Sequence, residues 1–222
     1  MENIEKLNHY SFEEVIETYN IQPVLECQTL KEWVDAPIVE LSPIQLTLLS
    51  ELPAEYKENY IGWNEEELKM NMLSVIFRIA NVNQKGIVKT FYERRLSGKV
   101  QDKNISVVVD CMIAKPTQAI RPSTPYFFLQ EAPTRPSPKG KEQENDNHDP
   151  EGQMLAAMIL AQELNQDGKP LYGCWLQGKN WNFTTLMGRD YCVSKQFDAT
   201  DMEDLHQIVF ILKKLKDLIL NR

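Results

Sequence analysis

Ile105-Ser-Val-Val-Val-Asp110 and Pro125-Tyr-Phe-Phe-Leu-Gln-Glu131 are two apolar runs that each end in a carboxylate. Their uninterrupted centres, Val107 to Val109 and Tyr126 to Leu129, suit β-strands covered on both faces, which calls for helices on either side of a central sheet. Two carboxylates carried by neighbouring strands can hold a hard cation beside a phosphodiester, because Mg²⁺ is bound by one or two carboxylates together with substrate phosphate. Two residues beyond Glu131, on the same strand face, stands Pro133.

Working outward, Gly86 to Glu93 reads as a strand before these two, with Ser97-Gly98 as its turn and the Pro116 to Pro125 stretch as the next. Leu171 to Leu176, Trp181 to Leu186 and Tyr191 to Phe197 add three more strands, joined by hairpin turns at Gly178-Lys-Asn180 and Met187-Gly188-Arg-Asp190. Trp175, Trp181 and Phe183 alternate in them as core residues rather than base-stacking platforms. Helix starts are marked by a capping residue with Glu or Gln three positions later. Ser11 with Glu14 opens a helix to about Tyr19, Thr29 with Glu32 a short one, and Ser42 with Pro43 and Gln45 one to about Leu52. Asn64 with Glu67 opens a helix over 65–80 whose apolar stripe is Leu68, Met72, Val75, Ile76 and Ile79. Glu151 to Asn165 is a helix apolar nearly all round, hence buried. Thr200 with Glu203 opens the last helix, with Leu205 to Ile219 as its buried stripe.

A chain of 222 residues with 42% apolar and 25% charged residues is long enough for one sizeable core. No apolar run reaches the roughly 18 residues of a membrane span, and the start, Met1-Glu-Asn-Ile-Glu-Lys, is not a secretory signal. The reading is a cytosolic protein. Cys27, Cys111, Cys174 and Cys192 lie far apart without a C-x-x-C, so reduced, buried thiols are expected; Cys111 has no nearby His to activate it. His9, His148 and His206 are too scattered for a His-based metal site. A net charge of −8 argues against a protein that grips nucleic acid with its whole surface. One local exception runs from Lys85 to Lys103, where six basic residues face two acidic ones. It is either a phosphate-facing strip or an ordinary solvated hairpin.

The helix opening Asn64-Glu-Glu-Glu-Leu-Lys, a strand ending Val-Val-Asp110, a strand ending Leu-Gln-Glu131 and an alanine-rich helix carrying Gln153 together resemble the PD-(D/E)xK nuclease superfamily, the restriction-endonuclease-like fold, over roughly residues 65–197. The longer sequence also looks like a bacterial group with this core. The resemblance implies an α/β (α+β) fold, a mixed central sheet flanked by helices with a helical N-terminal extension. Residues 1–63 are then a helical segment packed on a core of residues 64–222, and the Pro- and charge-rich stretch 132–150 is a mobile loop. It further implies Asp110 and Glu131 as catalytic, Mg²⁺-binding acids and Gln153 as a further site residue. Glu65, three residues before Leu68 and so aligned with the buried stripe, is the implied ligand from the leading helix.

The pattern departs at position 133, where the motif's Lys is replaced by Pro, and Arg135 or Lys115 is no substitute of known reach. Two expectations follow. One is a Mg²⁺-dependent nuclease in which the cation alone activates water. The other is a scaffold without catalysis, serving as a binding or regulatory module. Bland roles stand beside each residue: Asp110 as a turn cap, Glu131 and Gln153 as solvated ends, Glu65 as a first-turn acid favoured by the helix dipole.

Overall fold

The computed structural model describes residues 10–59, 62–132 and 149–221. Among them, seven strands form one mixed sheet and six helices flank it. The helices are α1 (Phe12–Tyr19), α2 (Gln28–Val34), α3 (Pro43–Asn59), α4 (65–80), α5 (Pro150–Asn165) and α6 (Met202–Leu220). The strands are β1 (Gln22–Pro23), β2 (Lys89–Val100), β3 (Lys103–Pro116), β4 (Pro122–Ala132), β5 (Leu171–Gln177), β6 (Asn180–Met187) and β7 (Asp190–Asp198), in the order β1-β7-β6-β5-β4-β3-β2. Pairs β2–β3 and β3–β4 are antiparallel, β4–β5 is parallel, and β5–β6 and β6–β7 are antiparallel. The parallel step requires a crossover, and α5 supplies it.

The sheet is buried on both sides. One face packs α2, α3, α4 and α6 over residues such as Cys111, Ile113, Phe127, Leu129 and Phe183. The other packs α1 and α5 over Phe91, Val107, Val109, Met112 and Phe128. Residues Gly152 to Ala161 of α5 are all buried, as the apolar composition requires. No helix among the described residues is long and apolar enough to cross a membrane.

The described residues before 64 are woven into this core. Trp33 is fully buried, its ring centroid 4.9 Å from Tyr172 and 5.3 Å from Phe183, and its indole N–H donates to the Ile211 carbonyl at 3.0 Å. β1 lies parallel to β7, with Val24 N–H donating to the Tyr191 carbonyl at 2.9 Å. At the start of α5, the Asp149 carboxylate accepts from its own helix at Gly152 N–H (2.9 Å) and from the first residue of α1, Phe12 N–H (2.6 Å). One side chain thus caps two helices.

Several expected boundaries move, each for a physical reason. Ser97-Gly98 is no turn: β2 runs through it to Val100, and the hairpin closes at Gln101-Asp102 with Gln101 at φ 54°. Gly98 packs under Leu160 of α5, where an added Cβ would lie 2.7 Å from Leu160 Cδ1. β3 does not end at Asp110 but continues to Pro116, its residues Cys111 to Ala114 buried between the layers. α3 passes through Pro53 to Asn59 rather than stopping near Leu52, and Pro53 is itself buried. α6 is capped by Asp201, whose carboxylate accepts from Glu203 and Asp204 N–H, while Thr200 bonds Asp198 instead. α2 starts at Gln28, so Thr29 lies inside it. The expected glycine turns hold: Gly178 and Gly188 take φ of 60° and 61° between the ladder ends Gln177↔Asn180 and Met187↔Asp190. Ala132 closes β4 and Pro150 opens α5; most of the loop expected at 132–150, Pro133 included, lies outside the described residues.

Candidate functional site

Asp110 sits where the sheet changes phase. Ile105, Val107 and Val109 face α5, yet Cys111 and Ile113 belong to the opposite core. Strict alternation would put 109 and 111 on one face, so the phase breaks at Asp110. Across the β2–β3 ladder, between the pairs Tyr92↔Cys111 and Arg94↔Val109, stands Glu93 with φ 49°. A non-glycine residue in the left-handed region within a strand is uncommon, and such breaks re-aim side chains.

The β3–β4 ladder also stops here, its last pair being Cys111↔Leu129. Beyond that pair β4 goes on with β5 as Glu131↔Leu176, while the Asp110 carboxylate accepts the Glu131 backbone N–H at 2.8 Å. A side chain thus replaces the ladder partner where the strands part. Asp110 and Glu131 are both buried, and the Asp110 carboxylate meets the Glu131 backbone.

A third member was not legible in the sequence. Lys69 of α4, itself buried, places its ammonium 2.6 Å from Glu93 Oε1, 3.5 Å from Asp110 Oδ1 and 3.8 Å from Glu66 Oε1. α4 is α-helical at Glu65–Leu68, π-helical at Lys69–Leu73 and α-helical again at Ser74–Ala80, with Ser74 N–H donating to the Lys69 carbonyl. The wide turn brings Lys69 and Leu73 inward beside Leu68 and Met72. Glu93 and Asp110, opposed across a ladder, would repel each other, and the ammonium between them offsets this.

Neighbouring groups report the same dense charge. Burial, reinforced by the Glu131 and Asp110 carboxylates, pushes the Cys111 thiol well up, so it stays protonated as a core thiol. Burial, and then Cys111, pushes Tyr92 up to about 12.

The other expected site residues fall as follows. Glu65 opens α4 one turn before Lys69, and its side chain lies outside the described set. Gln153, on α5, accepts from Gln130 Nε2 at 3.0 Å, both side chains buried. Gln130 precedes Glu131 and points to the opposite sheet face, so Gln153 stands behind the acids rather than among them. The basic residues Lys85, Lys89, Arg94, Arg95, Lys99 and Lys103 are all exposed on and beside the β2–β3 hairpin, and Arg94 and Arg95 directly follow Glu93.

Oxygen donors suit Mg²⁺ in kind. In arrangement, the Lys69 ammonium stands between the Glu93 and Asp110 carboxylates, and among the described residues no three His, Cys, Asp or Glu side chains are placed to share one ion. No protein-family model matches the chain, and no curated protein matches it.

Proposed function

We propose that the chain is a nuclease-like protein of the PD-(D/E)xK type that binds nucleic acid without cutting it, a binding or regulatory module on a nuclease scaffold. The order of a helix (α4), three antiparallel strands (β2, β3, β4), a crossover helix (α5) and a strand parallel to β4 supports the restriction-endonuclease-like reading. The observation that carries the site is the parting of β3 and β4, with Asp110 taking the Glu131 N–H at 2.8 Å. Pro at position 133, where the motif carries Lys, supports the absence of hydrolysis. The exposed basic residues of the β2–β3 hairpin are the phosphate-facing surface, local enough to coexist with a net charge of −8.

A second reading, metal-dependent phosphodiester hydrolysis, is favoured by the Asp110–Glu131 junction itself. One experiment separates them. Labelled DNA and RNA, single- and double-stranded, are followed by anisotropy at low salt and by gel in millimolar Mg²⁺ or Mn²⁺, with wild type, Asp110→Asn and Arg94→Ala/Arg95→Ala. The expected result is binding that weakens with salt and with loss of the two arginines, and no cleavage above the Asp110→Asn control. Cleavage that Asp110→Asn abolishes would establish the second reading, and no binding to any of the probes would remove the first.

A further inference from the structure

We infer that Lys69 is a fixed counter-ion: its tethered ammonium does for this acidic cluster what a divalent cation does in the nucleases the chain resembles. The inference deepens the nuclease-type reading of the site and rests on it. Three observations converge. The ammonium lies 2.6 Å from Glu93 and 3.5 Å from Asp110, within ion-pair distance of both carboxylates at once. Its side chain is 9% exposed, so its desolvation must be offset by the acids around it. Two separate backbone irregularities, the π-helical turn of α4 and the left-handed Glu93, deliver the two ends of this contact, so the chain departs from regular geometry on both sides to make it.

A soluble divalent ion would have to enter against this ammonium. Asp110 and Glu131 can therefore stay buried with no metal in the medium, and the protein should be indifferent to divalent cations as long as Lys69 is present. Lys69→Met, similar in length and uncharged, removes the ammonium from beside the buried Asp110 and the more exposed Glu93.

The test is thermal unfolding of the full chain in EDTA and in millimolar Mn²⁺ for wild type, Asp110→Asn, Lys69→Met and the double variant. Wild type should melt at the same temperature in both media. Lys69→Met should melt roughly 10 °C lower in EDTA, the scale for stranding buried charge in a chain of this length. Adding Asp110→Asn should return at least half of that loss, and Mn²⁺ should do the same for the single variant. If Lys69→Met does not fold, a folded double variant supports the inference and an unfolded one overturns it. A wild-type rise in Mn²⁺ that Asp110→Asn removes would overturn it, by making metal the resident cation. A loss that neither Asp110→Asn nor Mn²⁺ relieves would overturn it too, leaving Lys69 to fill space. Because the readout is melting, these outcomes are decided independently of whether nucleic acid binds.

Discussion

Replacing Asp110 by Ala tests the junction of β3, β4 and α4 directly. The carboxylate makes two contacts there: Oδ2 accepts from Glu131 N–H at 2.8 Å and Oδ1 lies 3.5 Å from the Lys69 ammonium. Losing the first leaves a buried amide without its acceptor, which costs about 1–3 kcal/mol. Losing the second removes one partner of a buried ion pair, worth about 3–5 kcal/mol when the remaining charge is left alone. Lys69 keeps Glu93 at 2.6 Å, so most of that second cost is avoided. The expected loss is about 2–4 kcal/mol, or roughly 4–16 °C in Tm for a chain of this length. Asp110→Asn retains an oxygen acceptor for the amide and loses only the charge, so it should fall by under about 2 kcal/mol. Urea unfolding with a common m-value, checked by calorimetry, measures both. Asp110→Ala within about 0.5 kcal/mol of wild type, or Asp110→Asn as damaging as Asp110→Ala, would refute the reasoning. The practical corollary is that Asp110→Asn, not Asp110→Ala, is the control for any activity assay.

Gly152→Ala should destabilise despite the helix preference for Ala, since the new Cβ would lie 2.3 Å from the Tyr10 carbonyl and 2.6 Å from Phe12 N and so push α1 off α5. Overpacking of about 3 kcal/mol less about 1 kcal/mol of helix propensity leaves a Tm fall of roughly 4–8 °C; an unchanged or higher Tm would contradict the packing described. Glu151→Gln should raise Tm at neutral pH. Burial holds the Glu151 carboxyl above its ordinary range, against the Tyr191 hydroxyl that donates to it and with Asp149 and Glu13 adding to the rise. Because the folded value is the higher one, the unfolded chain ionises first as pH rises, and stability is lost through that interval and stays lost above it. The gain from Gln should therefore vanish below about pH 4, and a gain of equal size at low pH would show that charge is not its cause.

What was legible in the sequence is what depends on near neighbours in the chain. The Ser42 and Gln45 pair and the Asn64 and Glu67 pair close reciprocal caps within four residues, and both form as read. Asp110 and Glu131 meet for a reason other than two strand ends lying together: β3 and β4 are antiparallel, and Asp110 lies mid-strand, one residue before the Cys111↔Leu129 pair, where it reaches the end of β4. Lys69 could not be placed, because its burial depends on a wide helical turn and on a phase break two strands away, and neither changes the local hydrophobic pattern. Gly98 misleads for a related reason: a glycine packed under Leu160 within a strand looks the same as one that makes a turn. The continuation of β3 past Asp110 was hidden by the charge itself, which reads as an end although the strand goes on in buried register.

The parallel pairing of β1 with β7 and the bond from the Trp33 indole to the Ile211 carbonyl, 178 residues further on, set the order in which this protein can be finished. A chain made from its N-terminus at about 5–20 residues per second leaves Trp33 waiting roughly 10–35 s for its acceptor to be synthesised. Until then the Trp33 indole N–H lacks its carbonyl partner, and the β7 margin that β1 covers is itself made only after residue 190. Closing this contact is therefore a late step, and slow elongation lengthens the window in which the nascent chain can aggregate.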